Sequence, residues 1–346
     1  MKLLSIIIPT YNMQAYLDRC LTSLVCDGVG DELEVLVVID GATDNSSAIA
    51  HGYAERHPHI FRVIDKENGN YGSCVNRGLK EATGKYVRVL DADDYFRTDA
   101  FDRYFNDLRA VDADFVLSDY SFVYEGAERP QHFHLGLKPN QVQQVADISL
   151  PEFPMHALAY RRQLLLDIQY RQTEGVSHTD MEWIFIPLFH VHTVAYLPCD
   201  VYQYLLGRAG QTVDPRLRSR AMRHSITVAG SMLRTYEATS LAQLPKSLLR
   251  LQHHRLFMYV SSTYKDILIY ASPDVFDAQQ ANDFDALVRR CAPDIYDELP
   301  RRKPYNRFGF YPLNHIRLWR TRQQRFTPRQ IRISDALAFL PRLLGK

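Results

Sequence analysis

Three carboxylates lie within four residues in the stretch Asp91-Ala92-Asp93-Asp94, directly after the apolar run VRVL. Carboxylates this close repel one another unless a cation lies among them. Their oxygens suit a hard divalent ion, Mg²⁺ or Mn²⁺, of the kind that also holds a diphosphate group. The alternative is a solvated acidic turn that caps a helix beginning near Thr98, and the motif alone fits both readings.

The first 125 residues alternate short apolar runs with longer amphipathic ones, which predicts a βαβαβαβ order and a mostly parallel sheet covered by helices. The expected strands are Leu3–Ile8, Glu34–Ile39, Phe61–Asp65 and Lys85–Leu90. The expected helices are 12–24, which Asn12 would cap, Ser46–Arg56 and Tyr71–Ala82. Further along, the pattern predicts strands at Phe115–Tyr124, Val194–Leu197 and Val201–Leu206, helices at about Tyr160–Asp167 and Asp180–His190, and only helices from Pro215 onward.

Each of the first four strands is followed by a polar segment. These segments are Pro9–Asn12, Asp40–Ser46, Glu67–Gly72 and Asp91–Asp94. In a parallel sheet, ligands bind beyond the carboxyl ends of the strands, so the four segments are expected to meet at one edge. This position favours the metal site over the solvated turn for the acidic motif.

Asp40 ends the apolar run VLVVI, where a carboxylate can accept hydrogen bonds from a base or from ribose hydroxyls. The alternative is that Asp40, Asp44 and Ser46 only form a turn and a helix cap. No GxGxxG follows the first strand and no GxxxxGK[ST] occurs, which argues against an NAD-binding Rossmann domain and against a P-loop.

The composition sets further bounds. The 346 residues carry a net charge of +1, but residues 301–346 hold twelve basic residues and one acidic residue, so +11 in this tail offsets −10 elsewhere.

Five cysteines without a CxxC pair suggest neither a disulfide framework nor a zinc site. The N-terminal apolar run breaks at Pro9 and predicts a strand rather than a signal peptide. No apolar run is long enough to cross a bilayer, and a cytoplasmic protein is expected.

The segments SIIIPTYN, VVIDGATDNS, ENGNYGSCVNRGLKEATGKYV and VLDADD together resemble the family-two glycosyltransferases, in the order and spacing of that family. The resemblance implies a GT-A nucleotide-sugar domain in the first 125 residues. It implies a nucleotide pocket lined by Pro9, Thr10, Tyr11 and Asn12, a base contact from Asp40, and ribose and diphosphate contacts from Asn70, Gly72 and Asn76. It also implies that Asp91 contacts the sugar nucleotide and, with Asp93, binds Mn²⁺ or Mg²⁺.

Inverting members of the family need a general base, usually the aspartate of a Glu-Asp pair that opens a helix. The matching stretch here is Ser177-His178-Thr179-Asp180, in which Thr179 stands where glutamate is common. Asp180 is therefore the expected base, and Glu182 is the alternative if the alignment is shifted. The loop Gly207–Thr212 resembles the basic loop that follows the base, and its Arg208 is expected to stabilise the leaving diphosphate.

The expected organisation is a catalytic domain over residues 1–212, divided at about 125 into nucleotide-sugar and acceptor halves, a helical domain over 213–300 and a basic, aromatic-rich tail over 301–346. The QxxRW box of processive synthases is missing, which favours transfer of a single sugar, with UDP as the favoured nucleotide, to a glycan acceptor. The tail suits an anionic membrane surface and a lipid-linked acceptor. Packing of the tail on the catalytic domain, RNA binding by the tail, and a non-catalytic nucleotide-sugar sensor are the alternatives.

Overall fold

The structure, a computed structural model, describes residues 2–26, 29–124, 126, 129–207, 222–300 and 314–325. The chain divides into two compact units, of which the first comprises residues 2–207 with 243–251 and the second the remaining described residues. The strands are β1 Leu4–Thr10, β2 Leu33–Asp40, β3 Phe61–Lys66, β4 Tyr86–Val89, β5 Tyr95–Phe96, β6 Phe115–Tyr124, β7 Gln131–Phe133, β8 Val142–Gln144, β9 Leu158–Arg161 and β10 Thr193–Leu206. The helices are α1 Leu17–Thr22, α2 Ser46–Arg56, α3 Asn70–Glu81, α4 Thr98–Arg109, α5 Arg162–Asp167, α6 Asp180–Phe185, α7 Met222–Ala238, α8 Lys246–Lys265, α9 Ala278–Cys291, α10 Pro293–Glu298 and α11 Asn314–Arg322.

The strands form one mixed sheet in the order β3-β2-β1-β4-β9-β6-β10-β5, with β7 paired to β6 and β8 paired to β10. Strands β3, β2, β1 and β4 are parallel to one another. Strand β9 is antiparallel to both β4 and β6, so β6 runs in the same direction as β4, and β10 is parallel to β6. The predicted mostly parallel α/β sheet is confirmed.

The core strands are buried because both faces of the sheet are covered. All eight residues of β2 are buried, as are six of the seven residues of β1, which explains why both sequences read as continuous apolar runs. Helix α4 buries Phe101, Tyr104, Phe105 and Leu108, which recur at helical spacing along one face. The predicted bounds of α2 and β6 are confirmed residue for residue.

The predicted helix 12–24 is wrong in its first part. Helix α1 begins at Leu17, and Asn12 does not cap it but adopts a left-handed backbone conformation with φ of 53°. Asparagine tolerates this conformation better than most residues do. The Asn12 side chain instead accepts a hydrogen bond from the backbone amide of Thr43. The apolar residues before Leu17 therefore have helical spacing in the sequence but lie in a loop.

Three further element predictions needed correction. The predicted helix Asp180–His190 ends as α6 at Phe185, and Pro187 begins a separate 3₁₀ turn, since proline cannot continue the hydrogen bonding of a helix. Tyr160 belongs to β9 rather than to a helix. The two strands predicted between Val194 and Leu206 are one strand, β10, with register shifts against β6 near Asp200.

The second unit is helical, as predicted for residues beyond Pro215. Part of the basic tail belongs to it, because Trp319 of α11 is buried against the ring of Phe276 and Arg320 pairs with Asp285 at 2.8 Å. The rest of the tail, residues 301–313 and 326–346, lies outside the described residues, so its predicted membrane contact stays a prediction. In the part of the chain that the structure describes, no helix combines the length and apolar character needed to span a membrane.

Candidate active site

Hydrogen bonds fasten the loop after β1 to the loop after β2. Asn12 Oδ1 accepts from the Thr43 amide at 2.8 Å, and Ser46 Oγ accepts from the Met13 amide at 2.8 Å. Thr10 is buried and Tyr11 is 49% exposed, while Pro9 lies half-buried near the end of β1. The segment predicted to line the nucleotide pocket is therefore held at the carboxyl ends of the strands, as the parallel topology requires.

Asp40 lies at the end of β2 with an ion pair already formed. Its Oδ1 accepts from Lys66 Nζ at 2.6 Å and from the Gly69 amide at 2.9 Å, and only 4% of its side chain is exposed. Sequence reasoning did not single out Lys66, whose position at the end of β3 was the available signal. A ligand that contacts Asp40 would meet a carboxylate whose charge Lys66 offsets and whose position the Gly69 amide fixes.

Helix α3 begins at this edge of the sheet and holds a loop from the other half of the domain. A Cβ on Gly72 would lie 2.0 Å from the Thr173 carbonyl oxygen, so only glycine permits this approach. The Asn76 amide bonds the backbone of Gln172 through both of its polar atoms. Asn70 opens the helix with φ of 65°. Gly72 and Asn76 thus position the loop that precedes α6, and their predicted contacts with ribose and diphosphate stay predictions.

The carboxylates after β4 are ordered by two tyrosines. Asp91 Oδ1 accepts from the Tyr71 hydroxyl at 2.7 Å. Asp94 is fully buried, and its two oxygens accept from the Tyr202 hydroxyl at 2.7 Å and from the Leu205 amide at 2.8 Å. Burial and the neighbouring charges of Asp93 and Asp91 raise the pKa of Asp94 well above its usual range. Asp94 therefore anchors β10 beneath the acidic motif.

His156 completes this group, and sequence reasoning missed it. One ligand atom from each of Asp91, Asp94 and His156 lies within 4.8 Å of the other two. Burial, followed by the charge of Arg88, lowers the pKa of His156 to about 3, so the imidazole is neutral. Its ring stacks on Tyr204 at a centroid distance of 4.2 Å. More than sixty residues separate it from the motif, and no spacing rule links the two.

The donor set fits a divalent cation. Among the described residues, the buried Nδ1 of His156 has no hydrogen-bond partner, and a neutral imidazole beside carboxylates is a good metal ligand. Asp93 is 8% exposed, and its backbone carbonyl accepts from Arg19 at 3.0 Å. The group that the structure brings together consists of Asp91, Asp94 and His156, whereas Asp93, the predicted ligand, is not one of its three members.

Asp180 opens α6 and is half-buried. Burial raises its pKa above the usual range, against the opposing effects of the His178 charge and of backbone amides. Its charge contributes, as do those of Asp91 and Asp94, to the raised pKa of both Tyr71 and Tyr204. The charge of the predicted base and the charges of the acidic motif therefore raise the pKa of the same two tyrosines.

Glu182, the alternative base, has a different environment. It is fully buried, and its oxygens accept from the Thr173 amide at 2.7 Å and the Thr173 hydroxyl at 2.6 Å. Thr179, which replaces the common glutamate, is buried and accepts from Gln172 at 2.9 Å. These contacts favour a structural role for Glu182 in holding the loop before α6.

A cleft of about 610 Å³ lies between α3 and the loop after α5, and neither the acidic motif nor Asp180 lines it. Four basic side chains and one acidic one contribute to its wall, namely Lys66, Arg77, Lys80, Arg171 and Glu174. The candidate active site is thus located by the carboxylates at the strand ends and not by this cleft. Arg208, the predicted diphosphate contact, lies outside the described residues.

Comparisons with known proteins agree with this geometry. Residues 5–168 match the family described as Glycosyl transferase family 2. The uncharacterized glycosyltransferase YibD of Escherichia coli is 27% identical over 221 residues, 59% of this chain and 61% of that protein. The minor teichoic acid biosynthesis protein GgaB of Bacillus subtilis is 34% identical over 103 residues, 30% of this chain and 11% of that protein. The chain thus covers less than two thirds of the length of these relatives.

Solved structures share the fold at low sequence identity. The structure of residues 1–349 of TarS from S. aureus has a TM-score of 0.58 at 20% identity, covering 85% of this chain and 82% of that one. The mannosyltransferase PcManGT of Pyrobaculum calidifontis, in complex with GDP-Man and Mn²⁺, has a TM-score of 0.51 at 18% identity, covering 87% and 81%. The fold is thus the GT-A fold that these glycosyltransferase structures share. Residues 5–168, just under half of the chain, are thus similar to the family-two glycosyltransferases, and the relatives named above support a glycosyltransferase of that family.

Proposed function

We propose that the protein transfers one sugar from a nucleotide-diphosphate sugar, with UDP as the favoured nucleotide, to a hydroxyl of a glycan acceptor, with inversion at the transferred carbon. The observation that carries the proposal is that Tyr71, whose hydroxyl donates to Asp91 of the acidic motif at 2.7 Å, also lies within the electrostatic reach of Asp180. An inverting transfer needs a base on the acceptor side and cation-binding groups on the diphosphate side of one reacting carbon, and this juxtaposition supports that arrangement.

In the proposed mechanism Asp180 accepts the proton of the acceptor hydroxyl. Burial raises the pKa of Asp180, and backbone amides at the start of α6 partly offset this effect in favour of the ionised carboxylate that the step requires. Asp91 and Asp93 would hold Mn²⁺ or Mg²⁺, and the group of Asp91, Asp94 and His156 supports a cation at this strand end. Mn²⁺ is the ion bound by the mannosyltransferase neighbour. When bound, the ion supplies positive charge that offsets the negative charge of the departing diphosphate.

The remaining predicted residues bind the donor in this proposal. The loop Pro9–Asn12 and Asp40 hold the nucleoside. The ribose and diphosphate lie along the start of α3, where they contact Asn70, Gly72 and Asn76, and Arg208 contacts the diphosphate. The hydrogen bonds that join the β1 and β2 loops support a pocket formed before the donor arrives. Such preorganisation lowers the cost of binding.

The acceptor proposal rests on the tail and on the relatives. Residues 301–346 carry the excess of basic residues, which favours contact with the inner face of an anionic membrane, where a lipid-linked glycan would be presented. GgaB, one of the relatives, acts in minor teichoic acid synthesis, which supports a role in cell-surface or exopolysaccharide synthesis.

The proposal is tested by thermal-shift measurements with a panel of UDP and GDP sugars, with and without Mn²⁺, followed by assays for release of the nucleoside diphosphate. We expect one donor to raise Tm in the presence of Mn²⁺, since a bound ligand stabilises by mass action, and to be hydrolysed slowly without acceptor. Stabilisation without any turnover, with acceptor glycans supplied, would instead support the non-catalytic sensor.

A further inference from the structure

We propose that His132, His134 and Asp119 form a second metal site, for a transition-metal ion of the zinc class. One ligand atom from each of the three side chains lies within 4.8 Å of the other two. Asp119 lies on β6, His132 on β7 and His134 directly after β7. The site shares no residue with the candidate active site and does not depend on the proposed function.

The pleat of the sheet brings the two histidines to one face. Strand β7 pairs antiparallel with β6 in a register that places His132 opposite Ser121 and Phe133 opposite Tyr120. Phe133 stacks on Tyr120 at 4.9 Å with an interplanar angle of 7°. Because side chains alternate along a strand, His132 and His134 lie on the opposite face from Phe133, the face that Asp119 and Ser121 share.

The distances are close to those of a metal site. His134 Nδ1 lies 2.9 Å and His132 Nε2 lies 3.8 Å from Asp119 Oδ2. Ligand atoms about 2.0–2.2 Å from a tetrahedral zinc ion lie roughly 3.3–3.5 Å from one another. Small movements of the two histidines, one outward and one inward, therefore give coordination distances, and 49% and 58% exposure of their side chains leaves room for them.

Asp119 is oriented toward the histidines by its other contacts. Its Oδ1 accepts from the Tyr196 hydroxyl at 2.7 Å and from the Leu135 amide at 3.2 Å. Only 4% of the side chain is exposed. With Oδ1 held in this way, Oδ2 is the oxygen that faces His132 and His134, so the one buried ligand is already fixed while the two exposed ligands can adjust.

The second ring nitrogen of His132 provides an independent indication. His132 Nδ1 lies 3.2 Å from Asp200 Oδ2, an oxygen that also accepts from Ser121 Oγ at 2.9 Å and from Arg97 Nη1 at 3.1 Å. Histidines that bind metals usually donate their other ring N–H to a carboxylate, which fixes the ring. Asp200 is therefore a positioning residue for His132.

The ligand types select the class of ion. Imidazole nitrogens with one carboxylate suit Zn²⁺ and neighbouring transition metals, whereas Mg²⁺ prefers oxygen ligands and water. The ions expected at the active site and at this second site therefore differ. A bound ion would fasten β7, through His132, to Asp119 of β6 and thereby to the sheet.

Calorimetric titration of the full chain, stripped with a chelator and kept in excess Mg²⁺, tests the site with Zn²⁺ as the probe. We expect the double variant His132→Ala/His134→Ala to bind one equivalent of Zn²⁺ fewer than the unchanged protein. Asp200→Asn should weaken that equivalent by roughly 10–100-fold. His51→Ala is the matched control, because His51 lies 2.8 Å from Asp65 with 50% of its side chain exposed but belongs to no group of three possible metal ligands among the described residues.

Absorption of Co²⁺ in place of Zn²⁺ gives a second measurement. The unchanged protein, His51→Ala and Asp91→Asn should all show the visible band of a cobalt ion with imidazole ligands, and His132→Ala/His134→Ala should lose it. Equal Zn²⁺ stoichiometry and affinity in the double variant and the unchanged protein would overturn the proposal. Absence of any Zn²⁺ binding by the unchanged protein would overturn it as well.

Discussion

Two groups of histidine and aspartate in the first unit differ in how the fold surrounds the imidazole. His156 is buried beside Asp91 and Asp94, stacked on Tyr204, and its pKa is lowered to about 3. His132 and His134 are about half exposed and contact carboxylates directly. The same residue types are thus used under opposite conditions.

The difference lies in how each group is assembled. The first group draws on Tyr71, the motif after β4, His156 and Tyr202, which are far apart in the sequence and meet only because strands β4 and β10 bring them to one edge. The second forms within the hairpin of β6 and β7 and its neighbour β10. A buried imidazole whose pKa is lowered to about 3 stays neutral at any pH near neutrality, whereas the exposed pair is open to ions from solvent. We therefore expect the cation of the proposed transfer at the first group, and at the second a zinc-class ion that takes no part in transfer.

The largest effect is expected at Asp180. Asp180→Asn removes the proposed base while preserving its shape, so kcat should fall by roughly 10²–10⁴-fold with little change in donor affinity. Steady-state kinetics with the best donor, beside a thermal melt, measures both quantities. Turnover within about threefold of the unchanged protein would remove Asp180 from the mechanism.

Glu182→Gln is the matched control for Asp180, because both residues lie in the first turn of α6. The substitution disturbs hydrogen bonds to Thr173, so the free energy of unfolding should fall by about 1–3 kcal/mol. The kcat of the folded protein should stay within about tenfold. A loss of kcat as large as that of Asp180→Asn, without a lower Tm, would make Glu182 the base.

The next effect separates the two metal groups. Asp91→Ala and Asp93→Ala should each lower Mn²⁺-dependent transfer at least roughly a hundredfold, since both remove a proposed ligand of the ion that stabilises the leaving group. His132→Ala/His134→Ala should retain transfer within about threefold. If the histidine variant lost transfer as completely as the aspartate variants, the separation of the two groups would be wrong.

The dependence of kcat/KM on pH should follow Asp180. Burial raises the pKa of this carboxyl, and a base must be ionised, so activity should rise with pH through a midpoint above the usual aspartate value of about 4. Rates measured from pH 4 to 8 test the expectation. The residual activity of Asp180→Asn should not show this rise with pH. If the variant kept the rise with the same midpoint, the titrating group would be a residue other than Asp180.

The smallest expected effect concerns Asp94. Its pKa is raised in the folded protein, so folding favours the protonated form, and the stability contributed by that carboxyl is lost as pH rises through the folded pKa. Asp94→Asn keeps acceptors and donors for Leu205 and Tyr202 without the charge. In chelator, its Tm should exceed that of the unchanged protein at pH 8, and the gap should narrow toward pH 5. A gap independent of pH would show that Asp94 is not the titrating group.

Local patterns predicted much of the first unit. The alternation of apolar runs predicted strands β1 to β4, the bounds of α2 and the convergence of polar segments at one edge, because these features follow from period and topology alone. They failed where a loop hydrogen bond replaced a helix cap, at Asn12, and where a proline ended a helix, at Pro187. At Asn12 a hydrogen bond to another loop, and at Pro187 the missing backbone N–H, decided the structure against the helix that the spacing of apolar residues predicted.

Residue order by itself predicted the fold class, the family resemblance, and the acidic motif and Asp180 as candidate site residues, because hydrophobic periods and short motifs can be recognised without tertiary contacts. Only the tertiary structure brought His156 to Asp91, paired Asp40 with Lys66 and placed His132 and His134 beside Asp119. These pairs come from distant segments or from the register of a sheet. A one-residue change of register would turn the two histidines to the other face, so no local pattern in the chain could have specified them.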